Sequence, residues 1–311
     1  MSAHHDHDAD HQSVYDGLTG GDESQWAFGL APAELAADDP LAGVDTAVPE
    51  GVDAAALARY CLMLGDDALI HSHRLSEWTS NAPDLEDDIA LANIALDLLG
   101  QARLLLARAA AADPSVVPAL PEGSPVPPED ALAFFRDDAA FRNQRLLEAP
   151  NSDFAVTIAR LLVASTYRLA LLQRLADHPD PVLSAIAAKG ATEVAYHRDY
   201  AGRWFLTLAR GTEESRRRLD FGLALVWPWY DELFRTHPDE AGAGVDPATV
   251  ADEVAVVLEQ VFSVSGVERP QMPAAGPVAG GVGRDGRHTE ALSRLLAEMQ
   301  SVARAHPRGR W

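Results

Sequence analysis

The residues best able to do chemistry in this sequence are carboxylates and imidazoles spaced about one helical turn apart. Glu193 stands four residues before His197. Asp66 and Asp67 precede His71 and His73. Asp97 falls on a polar stripe with Asn93, Gly100 and Gln101. Carboxylate oxygens and imidazole nitrogens gathered on one helix face suit iron or manganese. A carboxylate-bridged di-iron centre needs a Glu from each of two helices and a Glu-x-x-His from each of two more. Neither Glu-x-x-His is present. Val194 occupies the position three before His197, and the turn that holds Asp97 reads Asp-x-x-Gly. The helix expected at about 153–177 has no acid between Asp153 and Asp177. Its interior polar residues are Thr157, Arg160, Ser165, Thr166 and Arg168. A four-carboxylate cage lacks a ligand from that helix, and Arg160 or Arg168 near the axis would repel a cation. Two readings follow. Asp67, Asp97, Glu193 and His197 form a degenerate or mononuclear metal site, or they belong to a buried network. In the network, Arg160 or another cation pairs with the acids in place of metal.

Other reactive patterns are weaker. The single cysteine, Cys61, cannot form an internal disulfide and sits on an apolar stripe, which suits a buried small side chain in a reducing compartment. The glycine-rich run 276–286 follows no strand, so it does not read as a dinucleotide loop. Arg284, Arg287 and His288 beside it could hold a phosphate at a helix N-terminus, cap that helix, or meet a partner. His4, His5, His7 and His11 among acids could pick up transition metals loosely.

The elements that must carry these residues are helices. Leu57, Cys61, Leu64, Ala68, His71, Leu75 and Trp78 step by four and three, one face of a helix. Asn81-Ala82-Pro83 breaks it, and Asp84 is a fitting N-cap for a helix from about 85 to 112. Residues 113–128 hold six prolines and form a loop. A short helix is expected at 129–147 and long ones at about 153–177 and 181–210. Another runs from Gly211 to about 236, bent near Pro228. Helices at about 247–261 and 288–305 follow. No stretch alternates strictly enough to be a strand. The pattern is an all-α fold, a four-helix bundle with additional peripheral helices. The wide gap between the second and third long helices permits the long crossover of the ferritin-like arrangement.

With 25 Lys and Arg against 47 Asp and Glu, the net charge is −22. That excludes nucleic acid or an anionic membrane as the main partner, since both need a basic surface. The most apolar segment, 89–112, is interrupted by Asn93, Asp97, Gln101, Arg103 and Arg108 and reads as a buried helix, not a membrane span. No secretory signal opens the chain, so a cytoplasmic location is expected. The first 58 residues contain no Lys or Arg. Residues 1–50 read as an acidic, disordered extension, and 51–311 as a single helical domain.

Several blocks are more specific. Leu64 to Leu69 (LGDDAL), Arg74 to Trp78 (RLSEW) and the run EDDIALANIALDLLGQAR at 86–103 resemble the structural C subunits of multicomponent phenylacetyl-CoA epoxidases. Pro150 to Ala155, Glu193 to His197 and GRDGRHTEALSRLLAEMQ at 283–300 agree. The resemblance covers about 53–311. It implies a ferritin-like fold that lacks the metal ligands and a partnership with a catalytic di-iron subunit of the same fold. It also implies a small further subunit and a reductase carrying FAD and iron–sulfur. The complex turns phenylacetyl-CoA, O2 and NADPH into the ring-1,2-epoxide in aerobic phenylacetate breakdown. Under this reading the chain itself holds no catalytic, cofactor or metal residue. Its expected partner-facing residues are Arg74, Trp78, Arg284, Arg287 and His288. The rival expectation is a ferritin-like metal-dependent oxidase acting by itself.

Overall fold

The computed structural model describes residues 43–309. The acidic histidine-bearing stretch 1–42 lies outside the described residues. The described residues from Val44 onward belong to one compact unit. Residues just ahead of the first helix are tied in, because Arg108 donates to the carbonyls of Thr46 (2.6 Å) and Ala47 (3.4 Å).

Four long helices form the frame: α1 (Ala54–Ser76), α2 (Leu85–Ala112), α5 (Phe154–Leu175) and α6 (Pro181–Arg210). Each starts on an aspartate whose side chain accepts a backbone N–H of the first turn: Asp53, Asp84, Asp153 and Asp180. Such caps satisfy donors that have no intrahelical partner. Among the described residues there is no strand, only an isolated bridge between Val278 and Gly281.

α1 packs along α2, and α5 along α6. Cross-contacts give the directions. Ser72 of α1 bonds Ala95 of α2, and Gly65 lies against Leu106, so the pair is antiparallel. Arg168 of α5 reaches Leu64 of α1, and Trp78, just past α1, reaches Thr157, so α1 and α5 are antiparallel too. α2 and α5 therefore run the same way. The chain must return the length of the bundle between them, and residues 113–153 make that crossing. This is the ferritin-like topology.

The crossover differs from the single short helix expected at 129–147. It contains α3 (Pro128–Phe134), a 3-10 turn at Asp138–Ala140, an extended stretch, and α4 (Arg145–Glu148). Phe141, Asn143, Gln144, Arg145 and Glu148 are all buried. The segment abandons its helix so that its backbone and polar side chains can bond inward. The bend near Pro228 divides the next region into α7 (Glu213–Val226) and a 3-10 stretch, Trp227–Phe234. α8 (Pro238–Ala243), α9 (Ala251–Ser265), α10 (Glu290–Met299) and α11 (Ser301–Ala305) complete the chain.

Two helices are long and apolar enough to cross a membrane by length and composition. α5 is buried throughout its apolar window. α2 is buried on one side only, so the expectation of a buried helix holds for half of it. Leu85, Ile89, Leu96 and Leu99 on its other side are exposed.

Gly283 shows how tightly the C-terminal loop is seated. A Cβ there would come within 2.1 Å of the Asn143 carbonyl oxygen. We expect Gly283→Ala to lower stability by about 1–3 kcal/mol through forced displacement of the loop. The shift of the urea midpoint would measure it, and an unchanged midpoint would show that the loop is not wedged there.

Candidate functional site

The place where a ferritin-like bundle could hold metal is the interior between α1, α2, α5 and α6. Its polar residues form two systems with different burial.

The first lies along the α2–α6 seam. His197 Nε2 meets Asp97 Oδ2 at 2.9 Å. One turn along, Gln101 donates to Glu193 Oε2 at 2.7 Å and accepts from Arg168 Nε at 2.9 Å. Arg168 Nη1 continues to the Leu64 carbonyl at 3.3 Å. One chain of bonds thus links all four helices, with a guanidinium at its centre. Gly190 makes room for it, because a Cβ there would lie 3.2 Å from the Gln101 amide carbon. Toward the other end, Asp87 accepts from Tyr200 (2.8 Å) and Trp204 (2.7 Å). Burial raises the pKa of Glu193, with the Gln101 bond opposing. His71, fully buried, is pushed well below its ordinary pKa, first by burial and then by the charges of Arg160, His197 and Arg168. It is neutral at physiological pH.

The second system is deeper and made of ion pairs. Arg284 places Nη1 and Nη2 on the two oxygens of Asp67 (3.0 and 2.8 Å) and Nε on Glu240 (3.0 Å). Burial disfavours its charge, but Asp67 and Glu240 outweigh that and raise its pKa further. Asp66 pairs with Arg136 and accepts from the Arg142 backbone N–H. Arg145 pairs with Glu232 at 2.6 Å, and Arg108 with Asp180. Glu148 takes His288 Nδ1 (2.7 Å), Asn143 (2.9 Å) and the Thr289 N–H (2.6 Å).

These contacts place each residue singled out in the sequence. Asp97 and His197 are joined, and Glu193 lies one turn away on Gln101. Asp67 is not with them; it belongs to Arg284. Arg160 is not with them either, for its Nη1 and Nη2 bond Ala149 O and Asn151 Oδ1. The arginine that reaches the seam is Arg168, two turns further along α5. Nor is the seam uniformly buried: His197 is 1% exposed, but the Asp97 side chain is 38% exposed.

Three expected partner-facing residues are in fact interior. Arg284 is buried in the pairs just described. Arg74 is buried on the Glu148 and Ala291 carbonyls. The His288 side chain is enclosed by Glu148 and Phe141 O. Their charges are satisfied within the chain, so they cannot anchor a partner. Trp78 is half-buried, bonded to Thr157 and edge-on to Phe154. Arg287 alone of the five is exposed.

The donor set does not fit a di-iron centre. α5 supplies no carboxylate, both acids of α1 are held by arginines, and Arg168 stands among the remaining ligands. No group of three or more His, Cys, Asp or Glu among the described residues could hold a metal ion. The pairing partners Glu148, Glu232 and Glu240 were not singled out from sequence. All lie in the crossover, in the 3-10 stretch or in a short helix, where no period marks a buried face. Gly190 on an otherwise apolar stripe was the available sign that Gln101 needed space.

A four-helix bundle of ferritin-like topology whose interior acids are held by guanidinium groups defines the class. The sequence profile described as phenylacetic acid catabolic protein matches residues 44–311, and the chain belongs to that family. Its similarity extends to the C subunit of 1,2-phenylacetyl-CoA epoxidase from Escherichia coli (strain K12). The two are 39% identical over 260 residues, 82% of this chain and 99% of that protein.

Two predictions separate the systems. Asp67→Asn leaves part of a buried guanidinium unpaired and should cost about 3–5 kcal/mol. Asp97→Asn, at a partly solvated position where an amide oxygen can still meet His197, should cost less than about 1 kcal/mol. Chemical denaturation of both variants checks the contrast, and equal losses would refute it. The second concerns pH. Burial works against a charged His288, but the Glu148 bond and charge outweigh it and raise the pKa above the ordinary value. A raised folded-state pKa gives stability that is complete below the unfolded value of about 6.5 and lost as pH climbs through the folded one. Stability should therefore decline as pH rises from about 6.5. The decline should be shallower in His288→Gln, as urea midpoints across that range would reveal.

Proposed function

We propose that this chain is a non-catalytic structural subunit of a cytoplasmic phenylacetyl-CoA 1,2-epoxidase complex in aerobic phenylacetate breakdown. In this reading it pairs with a catalytic subunit of the same fold that carries the di-iron centre. A reductase with FAD and iron–sulfur supplies the electrons. The relative's description as an epoxidase subunit supports a multi-subunit assembly.

The observation that carries the reading is the outer face of α2. Leu85, Ile89, Ala92, Leu96, Leu99 and Arg103 step by four and three, a stripe that fits the groove of another helix. Its four large apolar members are exposed, as is Tyr196 on α6. α6 is the helix that meets α2 along the seam. An apolar stripe of this length on a chain of net charge −22 marks a surface made to be covered by protein. The ion-paired interior beneath favours a supporting role, since it holds the bundle rigid without supplying metal ligands.

The test is co-expression with the di-iron subunit. Leu96→Asp combined with Leu99→Asp should abolish copurification and epoxidation while circular dichroism of this chain stays helical. Retained copurification would remove α2 from the interface. The chain purified by itself should contain well below one iron per molecule. Stoichiometric iron that is lost in His197→Ala would replace this reading with that of a metal-dependent oxidase.

A further inference from the structure

A cavity of about 670 Å³ opens where the end of α1, α4, the start of α5, α7 and α10 converge. Its size lies within the range of about 300–1,000 Å³ typical of small-molecule sites. Much of its wall is apolar, from Val156, Leu225, Val226, Trp229 and Leu295. Four arginines line it: Arg74, Arg145 and Arg160 are themselves buried, and Arg294 is exposed and paired with Glu290.

Those arginines are not equivalent. Arg74 is paired with Glu77, and Arg145 with Glu232 while stacking over Trp229. Arg160 has no carboxylate partner among the described residues. Its Nη1 and Nη2 meet only a carbonyl and an amide oxygen, and its Nε is buried without any acceptor. Burial and the nearby charge of Arg74 draw its pKa down to about 10, Glu77 opposing, so it is still a cation at neutral pH. A buried, uncompensated guanidinium with an unused N–H is costly unless something supplies a negative charge. The buried arginines Arg74, Arg108, Arg136, Arg145 and Arg284 each have a carboxylate to supply one; Arg168, which like Arg160 has none among the described residues, bonds the Gln101 amide oxygen and the Leu64 carbonyl and does not line this cavity.

We propose that this cavity binds a small organic monocarboxylate, its carboxylate against Arg160 and its apolar, ring-sized body against Leu225, Val226 and Trp229. One uncompensated positive charge matches one negative charge. Glu77, Glu290 and Glu298 on the same wall disfavour phosphates and other polyanions. The apolar surface selects a hydrophobic body over a hydrated acid such as acetate. The inference concerns this chain alone and does not depend on its place in any complex.

Isothermal titration of the full chain with phenylacetate tests it, with phenylacetamide as the neutral analogue. Phenylacetate should bind saturably. Phenylacetamide, and phenylacetate with Arg160→Gln, should bind at least about tenfold more weakly, the loss expected when a charged hydrogen bond is removed. Leu225→Asp alters an exposed part of the wall, leaves the buried arginines in place, and should weaken binding to a similar degree. It keeps the test intact if Arg160→Gln does not fold. Inorganic phosphate should not displace phenylacetate. Absence of saturable binding, equal binding of acid and amide, unchanged binding in either folded variant, or displacement by phosphate would each overturn the proposal.

Discussion

Arg284 is the constraint around which the rest is arranged. Its guanidinium is buried between Asp67 of α1 and Glu240 of α8, with the Met63 and Arg142 carbonyls taking Nη1. None of these charges would be tolerable alone at that depth. Together they fix the C-terminal loop against the first long helix and hold the crossover between them. The same logic recurs in Asp66 with Arg136, Glu232 with Arg145 and Glu148 with His288. In each case a carboxylate is matched by a cation from a segment far away in sequence. Such pairs need not add much net stability, but they make alternative registers expensive, because a misplaced helix would strand a charge.

This arrangement also explains why the bundle interior is polar yet does not suit metal. In the α2–α6 seam the long planar head of Arg168 takes the central position and reaches α1, α2 and, through Gln101, Glu193 on α6. A cation built into the chain links the four helices as a bound ion would, with its charge and geometry fixed by covalent bonds. The neutral His71 beside it, its Nε2 without a partner, fits an environment already positive enough.

Sequence periodicity revealed the frame well because the four long helices each keep one continuous apolar face and begin on a capping aspartate. It also showed the absence of Glu-x-x-His and of an acid on α5, both local facts. It located Asp97 with His197 because antiparallel helices bring a fixed pair of positions together. It failed where the structure is irregular. Residues 129–147 keep a helical composition, yet Asn143 lies outside any helix and Gln144 is extended, its backbone N–H donating to Asp67. It chose Arg160 over Arg168 because both lie on α5 and only side-chain direction distinguishes them. It put Arg74, Arg284 and His288 on the surface because charged residues near glycines usually are, whereas here distant acids draw them in. The exposed stripe of α2 was hidden by its own apolarity, since composition cannot say which of two apolar faces is covered.

The span between Asp67 and Arg284 has a consequence for how the chain is made. The two residues are 217 positions apart, so the helix that carries Asp67 leaves the ribosome long before its counter-charge. Through most of synthesis α1 presents two aspartates, Asp66 and Asp67, on a face otherwise built for burial. Arg136 arrives midway and can neutralise the first; the second waits for the last tenth of the chain. Until then the first hairpin cannot close over its own interior without enclosing an unmatched charge. Closing the bundle around a paired Asp67 therefore requires the C-terminal loop to be present.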